Sequence, residues 1–190
     1  LFDQRGCVSP QVIFVEEGAE MGVTEWARLL ARAFQELETA LPSGRVPTRE
    51  AVAIQHLRGS GEVGEAMGRG LVLHGGSEAP WTVIARGGKG LEPSCHNRTV
   101  RVVPVGDAKE ALEELSRWKP YLQTVAIQGF GPRVPAIRES LAELGVSRVV
   151  DLDRAPWPEA RWHHDGGDPL RELVRWTDAE GEAALNSGDV

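Results

Sequence analysis

Thr99-Val100-Arg101-Val102-Val103-Pro104-Val105, Asp107-Ala108-Lys109-Glu110 and Leu122-Gln123-Thr124-Val125-Ala126-Ile127 open the stretch whose reading decides the fold. Residues 99–105 are rich in β-branched side chains and read as an extended strand. Asp107 with Glu110 three positions on is a capping box, opening a helix that turns Ala108, Ala111, Leu112, Leu115 and Trp118 inward. Pro120 stops that helix, residues 122–127 form the next strand, and Gly129-Phe130-Gly131-Pro132 is a turn. A helix over 134–144 buries Val134, Ile137, Leu141 and Leu144, Gly145 caps it, and residues 146–152 return as a strand. Strand, helix, strand, helix, strand with short links is the pattern of right-handed crossovers on a parallel sheet. The fold expected is α/β, a three-layer α/β/α arrangement with a mostly parallel sheet.

Working outward toward the N-terminus, the first fifteen residues carry the chemistry. Cys7 follows Gly6 and precedes a run of β-formers, Val12-Ile13-Phe14-Val15. Pro10 cannot donate to a sheet ladder, so the strand begins at or after it. Gly6 lets the backbone turn tightly and approach a substrate. A thiol at the mouth of a buried strand can attack a carbonyl while N–H groups of the turn face the developing oxyanion. The other reading of Cys7 is a small buried hydrophobe. Context alone leaves the two open.

The 190 residues are enough for one domain with a sizeable core, or for part of a larger protein. Hydrophobic residues at 41% and charged ones at 26% are those of a water-soluble globular chain. With 28 acids against 21 bases the net charge is −7 and no basic run stands out, which argues against nucleic-acid binding. No run of about 18 apolar residues predicts a membrane span, and no signal peptide is visible. Two cysteines, Cys7 and Cys95, make no disulfide framework and suit a reducing, cytoplasmic setting. Five histidines, at 56, 74, 96, 163 and 164, show no metal-ligand spacing, so no metal is expected.

Between these regions, Thr24 is read as capping a helix with Trp26, Leu29, Leu30, Ala33, Phe34, Leu37 and Leu41 on one face. Thr48 is read as capping a second over 49–57, with Ala51, Val52 and Ile54 inward and glycines 59, 61 and 64 loosening the stretch on to Gly68. Leu71-Val72-Leu73 and residues 81–85 read as strands. Gly87-Gly88-Lys89-Gly90 lacks the Ser or Thr and the helix start of a phosphate loop, and reads as a plain turn. Beyond residue 155, Pro156, Trp157, Pro158 and Trp162 make a stiff aromatic loop leading to His163-His164-Asp165-Gly166-Gly167. Asp168 and Pro169 would open a last helix over 170–179 with Leu170, Leu173, Val174 and Thr177 on one side, before a flexible tail over 181–190. A histidine beside an aspartate is held in one tautomer and can serve as acid, base or donor. The plainer reading of His163 and His164 is a loop held by capping and by stacking on Trp162.

Phe2-Asp3-Gln4-Arg5-Gly6-Cys7-Val8-Ser9-Pro10-Gln11 resembles the nucleophile segment of the bacterial long-chain fatty acyl-CoA reductases, the LuxC family. That family is a branch of the aldehyde dehydrogenase superfamily, in which a cysteine opens the catalytic domain. Two further stretches resemble it in the same order. One is Asn97-Arg98-Thr99-Val100 leading to Leu122-Gln123-Thr124-Val125. The other is Trp162-His163-His164-Asp165-Gly166 with Leu173-Val174-Arg175-Trp176 and Glu180.

The resemblance implies an aldehyde-dehydrogenase-like catalytic domain over 1–180, the C-terminal portion of a longer chain whose upstream dinucleotide-binding domain holds most of the NADPH. It implies an acyl-CoA substrate, Cys7 as nucleophile, Gly6, Val8 and Ser9 beside the substrate, and His163, His164 and Asp165 as further catalytic groups. It also implies that the fatty aldehyde product of luminous bacteria feeds luciferase, with self-association or a complex with an acyl-transferase and a synthetase. The Glu-x-Phe-Gly-Pro element of aldehyde-oxidising relatives should fall near 95–99, where Cys95-His96-Asn97-Arg98-Thr99 stands instead, and this favours the reductase branch. Alternatives are an aldehyde dehydrogenase or other acyl reductase with a shorter or phosphorylated substrate, and a non-catalytic docking domain.

Overall fold

The computed structural model describes residues 2–76, 80–86, 91–168 and 171–178. The predicted glycine turn over 87–90 and the tail over 181–190 lie outside the described residues. β1 (Val12–Glu16) leads through a glycine turn into α1 (Val23–Ala40) and α2 (Thr48–Ala66). β2 (Gly70–His74), β3 (Thr82–Arg86) and β4 (Thr99–Val105) follow, then α3 (Ala108–Ser116), β5 (Thr124–Ile127), α4 (Val134–Glu143) and β6 (Arg148–Asp151).

The strands form a four-stranded sheet in the order β1-β4-β3-β2 and a two-stranded sheet β5-β6. β1 with β4, β3 with β4, and β5 with β6 are parallel, and only β2 with β3 is antiparallel. The protein is therefore α/β with mostly parallel pairing. The expectation that β4, β5 and β6 share one sheet is corrected. β3 and β2 take the far side of β4, while β5 and β6 pair with each other around the α4 crossover.

Successive strand residues face opposite sides, and each side has its own helix. Ile13, Val15, Leu71, Leu73, Val83, Ala85 and Val102 pack on α1 through Ala27, Ala31, Trp26, Leu30 and Phe34. Phe34 stacks on Trp81 with ring centroids 6.2 Å apart. Val72 points the other way, to α2, where a Cβ on Gly61 would lie 3.1 Å from Val72 Cβ. The four-stranded sheet is thus the middle of three layers. A second core joins α3, α4 and β5 through Leu115, Ile127, Ile137, Leu141 and Val146, with Phe14 of β1 packed against it.

Several boundaries moved for local reasons. α2 runs on to Ala66, nine residues past the predicted Leu57, because the small face of Gly61 lets the helix lie close on β2. Its buried residues are Ile54, Arg58 and Gly61, whereas Val52 is exposed. Arg58 donates to Thr82 Oγ1 at 2.9 Å and to the Pro80 and Trp81 carbonyls, each at 3.1 Å. Burial pushes its pKa down from the ordinary arginine value. Gly22 and Pro47, not Thr24 and Thr48, stand at the N-caps of α1 and α2, and Leu29, Ala33 and Leu41 are exposed. The Asp107 cap is present, its Oδ1 accepting from Glu110 N at 3.0 Å while Glu110 Oε2 accepts from Gly106 N at 2.7 Å. Gly145, at φ +87°, ends α4, and Val146 N returns to the Leu141 carbonyl at 3.0 Å. The helix expected over 170–179 is corrected to a single 3-10 turn, Arg171–Leu173. Leu173, Val174 and Trp176 are exposed, and a short helix with no packed face is marginal in water.

Candidate active site

Cys7 is exposed at a tight turn in which Ser9 N donates to the Gly6 carbonyl at 3.0 Å. The strand begins at Val12, after Pro10, as the proline requires. The amides of Cys7 and Val8 donate to no other described residue. The Ser9 amide is already used in the turn, leaving its hydroxyl as the group it could offer a substrate.

What fixes the turn is a set of polar side chains that the sequence reading did not single out. Gln4 is 5% exposed. Its Nε2 donates to the carbonyls of Pro10 at 2.6 Å and Thr99 at 2.9 Å. Its Oε1 accepts from Thr99 N at 2.9 Å and from Ser94 Oγ at 3.0 Å. The β1–β4 register pairs Val12 with Arg101. Pro10 lies just ahead of that first pair, and the Gln4 amide ties its carbonyl to Thr99 at the start of β4.

Arg98, 4% exposed, anchors the preceding residue. Its Nε donates to Asp3 Oδ1 at 3.1 Å, Nη1 to Glu38 Oε2 at 2.8 Å and Nη2 to the Leu41 carbonyl at 2.9 Å. Asn97 N donates to the Asp3 carbonyl at 2.9 Å, and Asn97 Nδ2 to Glu50 Oε2 at 2.6 Å. Arg5 Nη2 reaches the same Glu50 oxygen at 2.6 Å. The Asn97 amide and the Arg5 guanidinium hold the Glu50 carboxyl below the ordinary range, against a smaller opposing effect of burial. Asp3, Gln4, His96, Asn97 and Arg98 all have positive φ, between 48° and 64°. Non-glycine residues rarely adopt that conformation, and such strain persists only where surroundings enforce it. Here the two strained segments enforce each other.

The histidine loop is anchored on the β5–β6 pair. Asp165 Oδ1 accepts from Gln123 Nε2 at 2.7 Å, just before β5, and His164 Nδ1 lies 3.0 Å from Asp165 Oδ2. His164 tilts against Trp162, with centroids 4.8 Å apart, and the Arg148 guanidinium lies 5.6 Å from the same indole ring. The carbonyl of His163 accepts from Gly166 N at 3.0 Å. The loop thus sits at the N-terminal ends of β5 and β6. Among the described residues no hydrogen bond or ion pair joins it to Cys7.

Residues 1–176 match the family model described as acyl-CoA reductase (LuxC). The chain belongs to the acyl-CoA reductase (LuxC) family. No curated protein matches the chain. A reductase of acyl-CoA takes an acyl-CoA as substrate and needs a hydride donor of the nicotinamide kind. The segments that carry the family resemblance at 2–11 and 97–100 are those that Gln4, Arg98 and Asn97 tie together. Among the described residues of this LuxC-family chain, no cluster of three or more His, Cys, Asp or Glu side chains is arranged to hold a metal. No helix among them is long and apolar enough to cross a membrane.

Proposed function

We propose that this chain carries the acyl-transfer step of a cytoplasmic, long-chain fatty acyl-CoA reductase through a covalent intermediate on Cys7. The observation that carries the reading is the pinned turn, which holds an exposed thiol beside two uncommitted backbone amides. The Cys7 thiolate attacks the thioester carbonyl, whose electron pair moves onto oxygen, where the Cys7 and Val8 amides can donate to it. Collapse of that oxyanion breaks the bond to the CoA sulfur. An acyl thioester remains on Cys7, and CoA departs as a thiolate that takes up a proton. Gly6 keeps the backbone side of the carbonyl open, and the Ser9 hydroxyl borders the substrate. His164, held by Asp165, is the proposed proton donor in the reaction, with His163 beside it in the same loop.

The reductant in this reading is NADPH, but the described residues do not fit a dinucleotide. Glu17 and Glu20 stand exposed in the turn between β1 and α1 where a pyrophosphate would otherwise meet a helix start, Glu16 before them is paired with Arg133, and the Asp107 carboxylate occupies the start of α3. We therefore assign the NADPH to an upstream domain of the same chain, and derive no hydride step from these residues.

A burst of CoA release, measured with the full-length enzyme and a long-chain acyl-CoA without nicotinamide, tests the reading. One CoA per active Cys7, lost in Cys7→Ser and retained in Cys95→Ser, is the expected result. A burst of the same size in Cys7→Ser would overturn it.

A further inference from the structure

Among the described residues no hydrogen bond or ion pair holds the Cys7 side chain, so its place is set by the ends of its loop. Those ends meet at one side chain. Gln4 Nε2 closes the loop onto the Pro10 carbonyl at 2.6 Å, and the same amide locks the loop to β4 through both backbone groups of Thr99. Ser94 Oγ completes the clasp, donating to Gln4 Oε1 at 3.0 Å and lying 2.7 Å from the Thr99 carbonyl. Cys7 sits midway between Gln4 and Pro10. A buried amide with both ends satisfied has no ligand to bind, and its φ of 64° is a conformation an L-residue adopts only when held.

We propose that Gln4 is a positioning residue for acyl transfer, fixing the Cys7 sulfur and the two turn amides in register with the thioester carbonyl. The inference rests on the acyl-enzyme reading above. Only a side chain that both donates and accepts can do this. Facing the Pro10 and Thr99 carbonyls, a carboxylate would repel them, whereas a protonated carboxyl would donate to one and still accept from Thr99 N.

The test compares single-turnover acylation by a labelled long-chain acyl-CoA in the full-length parent, Gln4→Met, Gln4→Glu, Ser94→Ala and Cys7→Ser. Loss of positioning by about 1 Å lowers the acylation rate constant roughly 100-fold in Gln4→Met, with half-saturation by acyl-CoA unchanged. In Gln4→Glu the rate relative to the parent recovers as pH falls and the new carboxyl protonates. A purely structural role would lower the melting temperature and leave the rate of the folded variant alone. Parental acylation in folded Gln4→Met would therefore overturn the proposal. Should Gln4→Met fail to fold, Ser94→Ala decides: acylation about fivefold slower supports it, and the parental rate overturns it. Retained label in Cys7→Ser would instead count against the acyl-enzyme reading, so the two failures are distinguishable.

Discussion

Gln4 and Thr99 lie 95 positions apart, yet one side chain serves both backbone groups of Thr99, accepting from its N–H and donating to its carbonyl, each at 2.9 Å. A side chain thereby ties the turn ahead of β1 to the start of β4. The Cys7 turn and the start of β4 become one rigid unit, and the acyl-transfer reading depends on that rigidity.

Arg98 should be the costliest single loss in this unit. Replacing it by Met leaves Asp3 and Glu38 facing each other without their shared cation and the Leu41 carbonyl without its donor. Urea unfolding of Arg98→Met should show a loss of about 3 kcal/mol or more. Arg98→Lys should recover only part of it, since one ammonium cannot reproduce the fork.

The glycines of α2 should divide into two kinds. A Cβ at Gly61 would lie 3.1 Å from Val72 Cβ, whereas Gly59 and Gly64 have nothing within 4 Å. Gly61→Val should destabilise by about 1–3 kcal/mol through overpacking. Gly59→Ala and Gly64→Ala should each stabilise by up to about 1 kcal/mol, because alanine is the better helix former. Thermal melts of the three variants separate close packing from mere tolerance.

Much of the fold was legible in this sequence, for identifiable reasons. β4, α3, β5 and α4 were readable because period-two and period-3.6 patterns there coincide with strong punctuation at Asp107, Pro120 and Gly145. The end of α2 was not, because three glycines argue against a helix unless a neighbouring strand needs them small. The helix over 170–179 failed for the converse reason, since its apolar stripe has no described surface to pack on. At the candidate site, the turn around Cys7 was visible from Gly6, Pro10 and the strand behind it. Gln4 and Arg98 were not, because a buried polar residue has no periodicity, and its partners are distant in sequence.

Glu50 gives the unit a pH dependence of known sign. Its carboxyl is held below the ordinary value by Asn97 and Arg5, with His96 nearby. A depressed folded pKa contributes stability above the unfolded pKa, and that contribution is lost as pH falls through the folded one. Glu50→Gln should therefore melt below the parent at neutral pH, and the gap should close as pH falls below the ordinary carboxyl value near 4.5. A gap that stays constant down to acid pH would show that the charge on Glu50 contributes nothing.

The His164–Asp165 pair is exposed and should matter little to stability. Asp165→Asn and His164→Ala should each change unfolding free energy by less than about 1 kcal/mol. If His164 donates a proton in the reaction, both should slow turnover and shift its pH profile. Normal turnover in both would leave the loop a structural turn stacked on Trp162.

The central claim is that the acyl group rests on Cys7. The most direct measurement is mass spectrometry of peptides from the full-length enzyme after brief exposure to a long-chain acyl-CoA without nicotinamide. The account predicts one acyl adduct on the peptide containing Cys7, removed by neutral hydroxylamine, unchanged in Cys95→Ser and absent in Cys7→Ser. An adduct on Cys95, or an unmodified Cys7 peptide in enzyme that still makes aldehyde, would contradict it.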